Sequence, residues 1–291
     1  MAPSVEQHIY NYRRKFITPQ AFGQHLRYLT RHYTVLQLDE ALERLRQGTL
    51  PPYALVITFD DGYRNFYDYA VPTLKRYNVP ATIFIATDFI LRGIPLWVDR
   101  LEYAVGHTEG SRAAGIARDT TLRAKLKSMT QGEREQKLQA LEGTGATLKD
   151  FADDRMVYAP LTRDMLKDMQ NYGITIGAHT RSHPILSTLP LDKARDEIAG
   201  SAQELREAVG AISSVFAYPN GQHNDYNEET ITSIKEAGFT SALTTIEGSI
   251  KRGDDPYELR RITLDGVEDD ASLAAATSGL RALLRATIPY A

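Results

Sequence analysis

The chain has 291 residues, of which 42% are hydrophobic and 24% charged, as in a globular protein large enough to bury a sizeable core. Its 34 basic and 37 acidic residues give a formal charge of −3, which disfavours nucleic acid as a main partner. Cysteine is absent, so disulfides, thiol nucleophiles and cysteine-based metal sites are excluded.

Two further classes are disfavoured by the hydropathy pattern. The N-terminal residues lack the apolar run of a signal peptide, and no apolar stretch approaches the roughly 20 residues that cross a bilayer. We therefore expect no transmembrane segment, and a cytoplasmic location for the chain as it stands. A periplasmic or secreted location is the alternative if the N-terminus is truncated.

The first part of the chain alternates between helical and strand patterns. Thr18 and Pro19 are typical of a helix start. Asp39 is expected to cap a second helix, which Gly48 ends. In chain order the predicted elements are a helix from Pro19, a strand at 33–38, a helix at 40–46, a strand at 54–58, a helix at 71–77 and a strand at 81–86.

The strand pattern stops between residues 99 and 154, where charged residues, alanine and leucine dominate. Leucines recur there at helical intervals, so the segment is predicted to be a helical insertion. The leucines are Leu122, Leu126, Leu138 and Leu141. Two interpretations stay open, a solvated helical flap and a lid or docking surface for a substrate.

After the insertion the alternation resumes, with Thr162 at a helix start and Gly238 at a helix end. The predicted elements are a helix at 162–171, a strand at 174–178, a helix at 191–209, a strand at 215–217, a helix at 228–237, strands at 241–245 and 259–264, and a helix at 272–285. About seven strands, most followed by a helix, indicate an α/β barrel or a doubly wound sheet. The simplest organisation is a single domain over residues 1–291.

Two adjacent carboxylates, Asp60 and Asp61, follow the predicted strand at 54–58. Buried carboxylates are costly unless a cation offsets their charge. The C-terminal ends of parallel strands are also the usual place for active sites in α/β folds. The alternative is a simple turn, because Asp61 and Gly62 form a common turn pair.

A pair of histidines, His179 and His183, follows the strand at 174–178. Imidazoles four residues apart can converge on one metal ion, although two unrelated surface histidines are the alternative. Together with Asp61 they would form a site with two imidazoles and one carboxylate. Such a site suits Zn²⁺, and also Co²⁺, Ni²⁺, Fe²⁺ or Mn²⁺.

A turn of Pro219, Asn220 and Gly221 follows the short strand at 215–217. Such a turn can present a backbone N–H to a developing oxyanion, although a plain turn is the simpler interpretation.

These three segments resemble the first three motifs of a known family. Thr-Phe-Asp-Asp-Gly at 58–62, His-Thr-Arg-Ser-His at 179–183 and Phe-Ala-Tyr-Pro-Asn-Gly at 216–221 are similar to the motifs of the polysaccharide deacetylases, carbohydrate esterase family 4, also called the NodB-homology domain. Residues 79–84 resemble the strand that follows the first motif. The resemblance implies a distorted (β/α) barrel of about seven strands. It also implies a metal-dependent hydrolase that removes N-acetyl groups from a polysaccharide, an oligosaccharide or a glycan precursor.

The resemblance assigns a role to each motif residue. Asp60 matches the general base, and Asn220 would offer the backbone N–H of the oxyanion hole. The ligands of one divalent ion, Zn²⁺ in the first place, would be Asp61, His179 and His183.

The sequence also departs from the family pattern. Many members carry an arginine beside the base, where this chain has Ala217, and no histidine follows His223 to act as a C-terminal general acid. The third motif resembles a branch that includes biofilm poly-N-acetylglucosamine deacetylases, whose acid lies near the N-terminus. His8 and His223 are the two candidates for that acid.

The missing arginine has a candidate substitute in the last predicted strand. Alternate residues of a strand face opposite ways, so only one of Arg260 and Arg261 is expected to face the interior. Arg261 lies nearer the C-terminal end, so we predict that its guanidinium reaches Asp60, although a surface salt bridge is the alternative. Candidates for contacts with a sugar are Trp97, with the neighbouring Asp99, and the motif residues Tyr218 and Pro219. For Trp97 the favoured alternative is a core residue.

Two other functions are compatible with the sequence. An amidase or esterase acting on a small C–N or O-acetyl substrate would use the same motif chemistry. A non-catalytic glycan-binding protein on a decayed enzyme fold is favoured by the two missing residues and opposed by the intact base and metal ligands.

Overall fold

The computed structural model describes residues 17–108, 112–142, 158–264 and 269–278. The strands are β1 (Thr34–Val35), β2 (Ala54–Leu55), β3 (Thr58–Phe59), β4 (Ala81–Ile85), β5 (Ile174–Ala178), β6 (Val215–Ala217), β7 (Ser241–Glu247) and β8 (Leu259–Arg261). The helices are α1 (Pro19–His32), α2 (Leu38–Gln47), α3 (Val71–Tyr77), α4 (Thr87–Arg92), α5 (Trp97–Thr108), α6 (Arg112–Lys127), α7 (Gln131–Glu142), α8 (Arg163–Gln170), α9 (Leu191–Val209), α10 (Glu228–Glu236) and α11 (Asp270–Thr277).

The main sheet has six parallel strands whose spatial order, β3-β4-β5-β6-β7-β8, is their order along the chain. A parallel sheet of this order, with helical crossovers on one side, curls towards a barrel. The predicted distorted (β/α) barrel is therefore confirmed, and each of the seven predicted strand segments contains a strand. The segment at 54–58 is divided, because β2 pairs with β1 while β3 pairs with β4.

The strands alternate between two apolar environments. In β4, Ile83 and Ile85 pack in the main core against the surrounding helices, whereas Phe84 points to the barrel interior. The interior is filled by one residue or two from each of several elements: Leu38, Leu42, Phe84, Val215, Ala217, Leu243 and Leu259. Since both faces of these strands are buried, the continuous apolar runs seen in the sequence follow directly.

Gly177 makes room for the largest of these interior side chains. It lies opposite Phe84 in the β4–β5 register, and a Cβ added to it would lie 2.5 Å from two carbons of the Phe84 ring. We expect Gly177→Ala to lower the free energy of unfolding by about 1–3 kcal/mol, because the fully buried ring cannot move aside freely. Urea denaturation measures this. Gly23→Ala in α1, where the nearest atom is 3.9 Å away, is the control and should not destabilise the protein.

Three helices, α5 to α7, occupy the described part of the predicted insertion, which starts at Trp97 rather than at residue 99. They share a small core that includes Leu101, Leu126 and Leu138 together with Ile185, a residue outside the insertion. Two polar contacts join the same helices to the barrel. The Tyr63 hydroxyl donates to Asp99 at 2.5 Å, and Lys127 Nζ lies 3.0 Å from Asp225. Ile185, Tyr63 and Asp225 belong to three different loops at one end of the barrel, so the insertion is anchored to that end.

The predicted start of the second helix differs from the structure. Thr18 caps α1 as expected, accepting a hydrogen bond from the Ala21 amide, but α2 begins at Leu38 with Gln37 as its cap. The prediction for Asp39 was wrong because its carboxylate has distant partners, Ser213 and Ser214. The end of the predicted helix at 272–285 lies outside the described residues. Within the described ranges, no helix is long and apolar enough to span a bilayer.

Candidate active site

The three sequence motifs lie at one end of the barrel, because they follow β3, β5 and β6 at the C-terminal ends of these parallel strands. The chain leaves each strand through a tight turn in which residues other than glycine have positive φ. These residues are Asp61 (76°), Thr180 (66°), His183 (57°) and Asn220 (60°). Left-handed backbone of this kind costs roughly 1–2 kcal/mol per residue and is concentrated at functional sites.

The predicted ligands converge at this end. Asp61 Oδ1 lies 3.4 Å from His179 Nε2 and 3.3 Å from His183 Nε2, and the three ligand atoms all lie within 4.8 Å of one another. Both imidazoles are buried, at 1% and 5% exposure, whereas the Asp61 side chain keeps 26% of its surface. The cluster is therefore open on the side of the carboxylate.

The ring orientation of His179 fits a metal ligand. His179 Nδ1 lies 2.7 Å from the Ala217 carbonyl oxygen, so that nitrogen carries a proton and leaves Nε2 as the atom that would bind a metal ion. Ala217 of the third motif thus contributes its carbonyl oxygen, which holds the ring of His179 in the second motif. His183 Nδ1 is buried without a hydrogen-bond partner in the described part of the chain, and its Nε2 points to Asp61. Two imidazoles and one carboxylate with an open side suit a divalent ion such as Zn²⁺.

The electrostatics of the cluster favour an ionised carboxylate. Burial by itself would raise the pKa of Asp61, but hydrogen bonding and charge from both imidazoles outweigh burial and hold that pKa below its ordinary value. Burial likewise opposes a charge on His179, whereas Asp61 and Asp60 together raise the pKa of its imidazole. A carboxylate that stays ionised between two buried imidazoles is the arrangement expected where a cation binds.

The predicted contact between Arg261 and Asp60 is present. Arg261 Nη1 donates to Asp60 Oδ1 at 2.8 Å, and Nη2 lies 2.8 Å from Oδ2. Arg261 Nε also donates to the Thr244 carbonyl at 2.7 Å, which fixes the side chain, while Arg260 is exposed on the other face of β8. Because β3 and β8 are the two edges of the main sheet, this ion pair joins the edges across the open seam of the barrel.

The third motif forms a tight turn beside the cluster. The Gly221 amide donates to the Pro219 carbonyl at 2.7 Å, and the Asn220 carbonyl accepts the hydroxyl of Thr245. Among the described residues, the Asn220 backbone N–H has no acceptor. That amide is therefore free to donate to a ligand.

The residues predicted to contact a sugar are buried. Tyr218 is fully buried, donates its hydroxyl to the Tyr257 carbonyl and stacks on Tyr226. Pro219 is also buried. Trp97 is 6% exposed in the core of the insertion, where Arg134 lies over its ring. Both rings are enclosed by the packing around them, so neither is available to a substrate in this structure.

The structure describes one of the two candidates for the general acid. His8 lies outside the described residues. His223 is exposed in the turn that follows the third motif. His223 does not belong to the cluster formed by the predicted ligands.

The sequence did not predict one contact next to the cluster. Tyr63, two residues after Asp61, forms its short hydrogen bond with Asp99, which is only 2% exposed. Burial, followed by the charges of Asp99 and Asp61, raises the pKa of Tyr63 well above its ordinary value, so the phenol stays protonated as the donor. Asp99 therefore holds the first motif to α5 instead of lining a groove.

Comparison with known proteins supports the assignment of the family. The chain is 25% identical over 248 residues to a putative polysaccharide deacetylase, YxkH, of Bacillus subtilis, covering 84% of this chain and 64% of YxkH. Over 75 residues it is 36% identical to the poly-beta-1,6-N-acetyl-D-glucosamine N-deacetylase of Staphylococcus epidermidis, covering 25% of this chain and 26% of that enzyme. The chain thus spans less than two thirds of each relative.

A solved structure shows the same fold. PplD, a deacetylase of Streptococcus pyogenes determined in complex with acetate, superposes with a TM-score of 0.64 at 21% identity, covering 90% of this chain and 87% of PplD. The family model described as polysaccharide deacetylase matches residues 47–242, from the end of α2 into β7. This match extends over more than half of the chain and includes all three motifs, and the chain therefore belongs to the polysaccharide deacetylase family.

Proposed function

We propose that this protein is a metal-dependent deacetylase that removes N-acetyl groups from a glycan. The observation that carries the proposal is the convergence of Asp61, His179 and His183 next to a separate carboxylate, Asp60, that has its own cationic partner. A ligand set and an independent base are the two parts that hydrolysis of an amide requires at such a site.

The metal would be held by Asp61, His179 and His183, and a divalent ion bound there would lower the pKa of a water molecule to about 7 and polarise the acetyl carbonyl. Asp60 would accept the proton of the attacking water. Arg261 would hold the Asp60 carboxylate in one orientation through paired contacts of 2.8 Å. The Asn220 N–H would donate to the oxygen that gains negative charge as the water attacks.

The proposal is tested by measuring acetate release from a panel of substrates. The panel contains oligomers of β-1,6-linked N-acetylglucosamine, chito-oligosaccharides, acetylated xylan and small amides. We expect release of acetate with appearance of a free amine from an N-acetylated oligosaccharide, abolished by a chelator and restored by Zn²⁺ or Co²⁺. Turnover of the small amides or of the O-acetyl ester alone would favour the alternative amidase or esterase. A protein that binds the oligosaccharides and releases no acetate with any metal would be a glycan-binding protein instead.

The pairing of Arg261 with Asp60 gives a further prediction. Arg261→Ala should lower turnover about 10- to 100-fold, because Asp60 loses the group that orients it. The bound metal should stay at one equivalent, because the three candidate ligands are unchanged. Acetate release and metal content of the same preparation measure both effects. Arg260→Ala, an exposed neighbour that removes the same charge, is the control. Equal turnover in wild type and Arg261→Ala would leave Asp60 without a functional partner.

A further inference from the structure

The loop between the two histidine ligands is held from two sides. On one side, the Thr87 and Asp88 amides at the start of α4 donate to the Thr180 and Arg181 carbonyls at 3.1 and 2.8 Å. Within the loop, the Thr180 hydroxyl accepts the His183 amide at 3.1 Å. The carbonyls and the last amide are therefore satisfied by groups near the loop itself.

The amides of Arg181 and Ser182 share one partner, Glu197 of α9. Its Oε2 accepts the Arg181 amide at 2.8 Å and the Ser182 amide at 2.9 Å, and its Oε1 accepts the Ser182 hydroxyl at 2.5 Å. All three donors lie between His179 and His183 in the chain. A single carboxylate thus fixes two successive peptide groups of a loop whose Thr180 and His183 have positive φ.

Glu197 occupies an unusual place on its helix. It lies beside the stripe of α9 that packs in the main core and includes Ala194 and Ile198. Burial raises the pKa of Glu197 above its ordinary value, and the hydrogen bonds from the loop offset part of that rise. A partly buried carboxylate is costly without such donors, so its place on this face is explained by the loop that it binds.

From these contacts we infer that Glu197 is a positioning residue that holds the loop between His179 and His183 in the conformation that binds the metal. The inference rests on the proposed function, because it requires that the cluster bind a divalent ion. Glu197 acts through the backbone of the loop and not through contact with the ion. Outer partners of metal ligands commonly contribute 10- to 100-fold to metal affinity, and here the outer partner supports the main chain.

Three substitutions separate reach from charge at this position. Glu197→Asp keeps the charge, but its side chain is shorter by one methylene, about 1.5 Å. It therefore loses the hydrogen bonds to the Arg181 and Ser182 amides. Glu197→Gln keeps the length and one carbonyl oxygen for both amides, and its NH₂ can donate to the Ser182 hydroxyl. Glu197→Ala has neither charge nor reach.

The experiment is a titration of each metal-free protein with Co²⁺, followed by its visible absorption, and with Zn²⁺ by competition against a chelating dye. We expect Glu197→Asp and Glu197→Ala to weaken affinity about 10- to 100-fold. Glu197→Gln should stay within about threefold of wild type, because hydrogen bonds without a formal charge remain. The melting temperature of each metal-free protein shows that the folded protein is being titrated.

Asp196 provides a matched control on the same helix. It is the preceding acidic residue, and its side chain is 61% exposed. Among the residues that the structure describes, it bonds only to the side chain of Arg181, at 2.9 Å. Asp196→Ala should leave metal affinity unchanged.

The outcomes are distinct. Variants of Glu197 that bind metal like wild type, or an Asp variant that matches wild type while Gln does not, would overturn the positioning role. In the second case the charge, not the hydrogen bonds, would set the affinity. A wild-type protein that binds neither ion would overturn the proposed metal site, and this inference with it.

Discussion

Replacing His183 with alanine is expected to abolish both metal binding and acetate release. His183 would supply one of three protein ligand atoms, and its Nε2 lies 3.3 Å from the carboxylate that would share the ion. A site reduced to two ligands should lose affinity by at least about 100-fold, more than an outer partner contributes. Metal content after dialysis and Co²⁺ titration measure the first effect, and acetate release measures the second.

The control for His183→Ala is His32→Ala, which removes an exposed imidazole at the end of α1. It should change neither measurement. The ligand assignment fails if His183→Ala retains one equivalent of metal at wild-type affinity, whatever its activity.

Substitutions of the two adjacent aspartates are expected to have different effects on turnover and metal binding. Asp60→Asn should retain the metal and lower turnover about 10²- to 10⁴-fold, the usual contribution of a general base. The amide cannot accept the proton, although it still offers Arg261 one oxygen atom. Asp61→Asn should weaken metal binding instead, because an amide is a poorer ligand than the carboxylate that both imidazoles face.

Parallel measurements of turnover and metal stoichiometry on the two asparagine variants make this comparison. Each variant serves as the control for the other, since the change is the same and the positions are adjacent. Loss of metal from Asp60→Asn, or a full metal complement with normal affinity in Asp61→Asn, would contradict the division of roles.

Both predictions depend on residues that local sequence patterns could identify. Asp60 and Asp61 follow β3, and His179 follows β5, in the places where apolar runs end. Strand position is a local property, and parallel strands bring their carboxyl ends to one edge, so the grouping could be expected before any tertiary contact was known. The inward direction of Arg261 could be expected for the same reason, because strand side chains alternate.

Other features depend on contacts between distant parts of the chain. Tyr218 belongs to a motif and was therefore expected to contact a substrate. In the structure it stacks on Tyr226 and donates to the Tyr257 carbonyl, and the motif itself does not predict either contact. Aspartate is a common helix cap, but the carboxylate of Asp39 accepts hydrogen bonds from Ser213 and Ser214, which lie in a distant segment. Local propensity is a weak prior in such cases, because tertiary partners contribute as much energy as the local cap.

The amino-acid sequence by itself determined the strand segments and the three motifs, since these follow from short-range patterns. The resemblance of these motifs to a known family named the candidates for the base and the metal ligands. Only the tertiary structure decided the distances at which supporting groups meet the motif residues, and it alone identified Glu197 as one of these groups. Arg261 meets Asp60 because the sheet curls until its edge strands β3 and β8 face each other, a separation of 201 residues along the chain. Glu197 meets the histidine loop because α9 packs beside β5 in the main core. Packing of the whole barrel fixes these distances, and no local pattern encodes them.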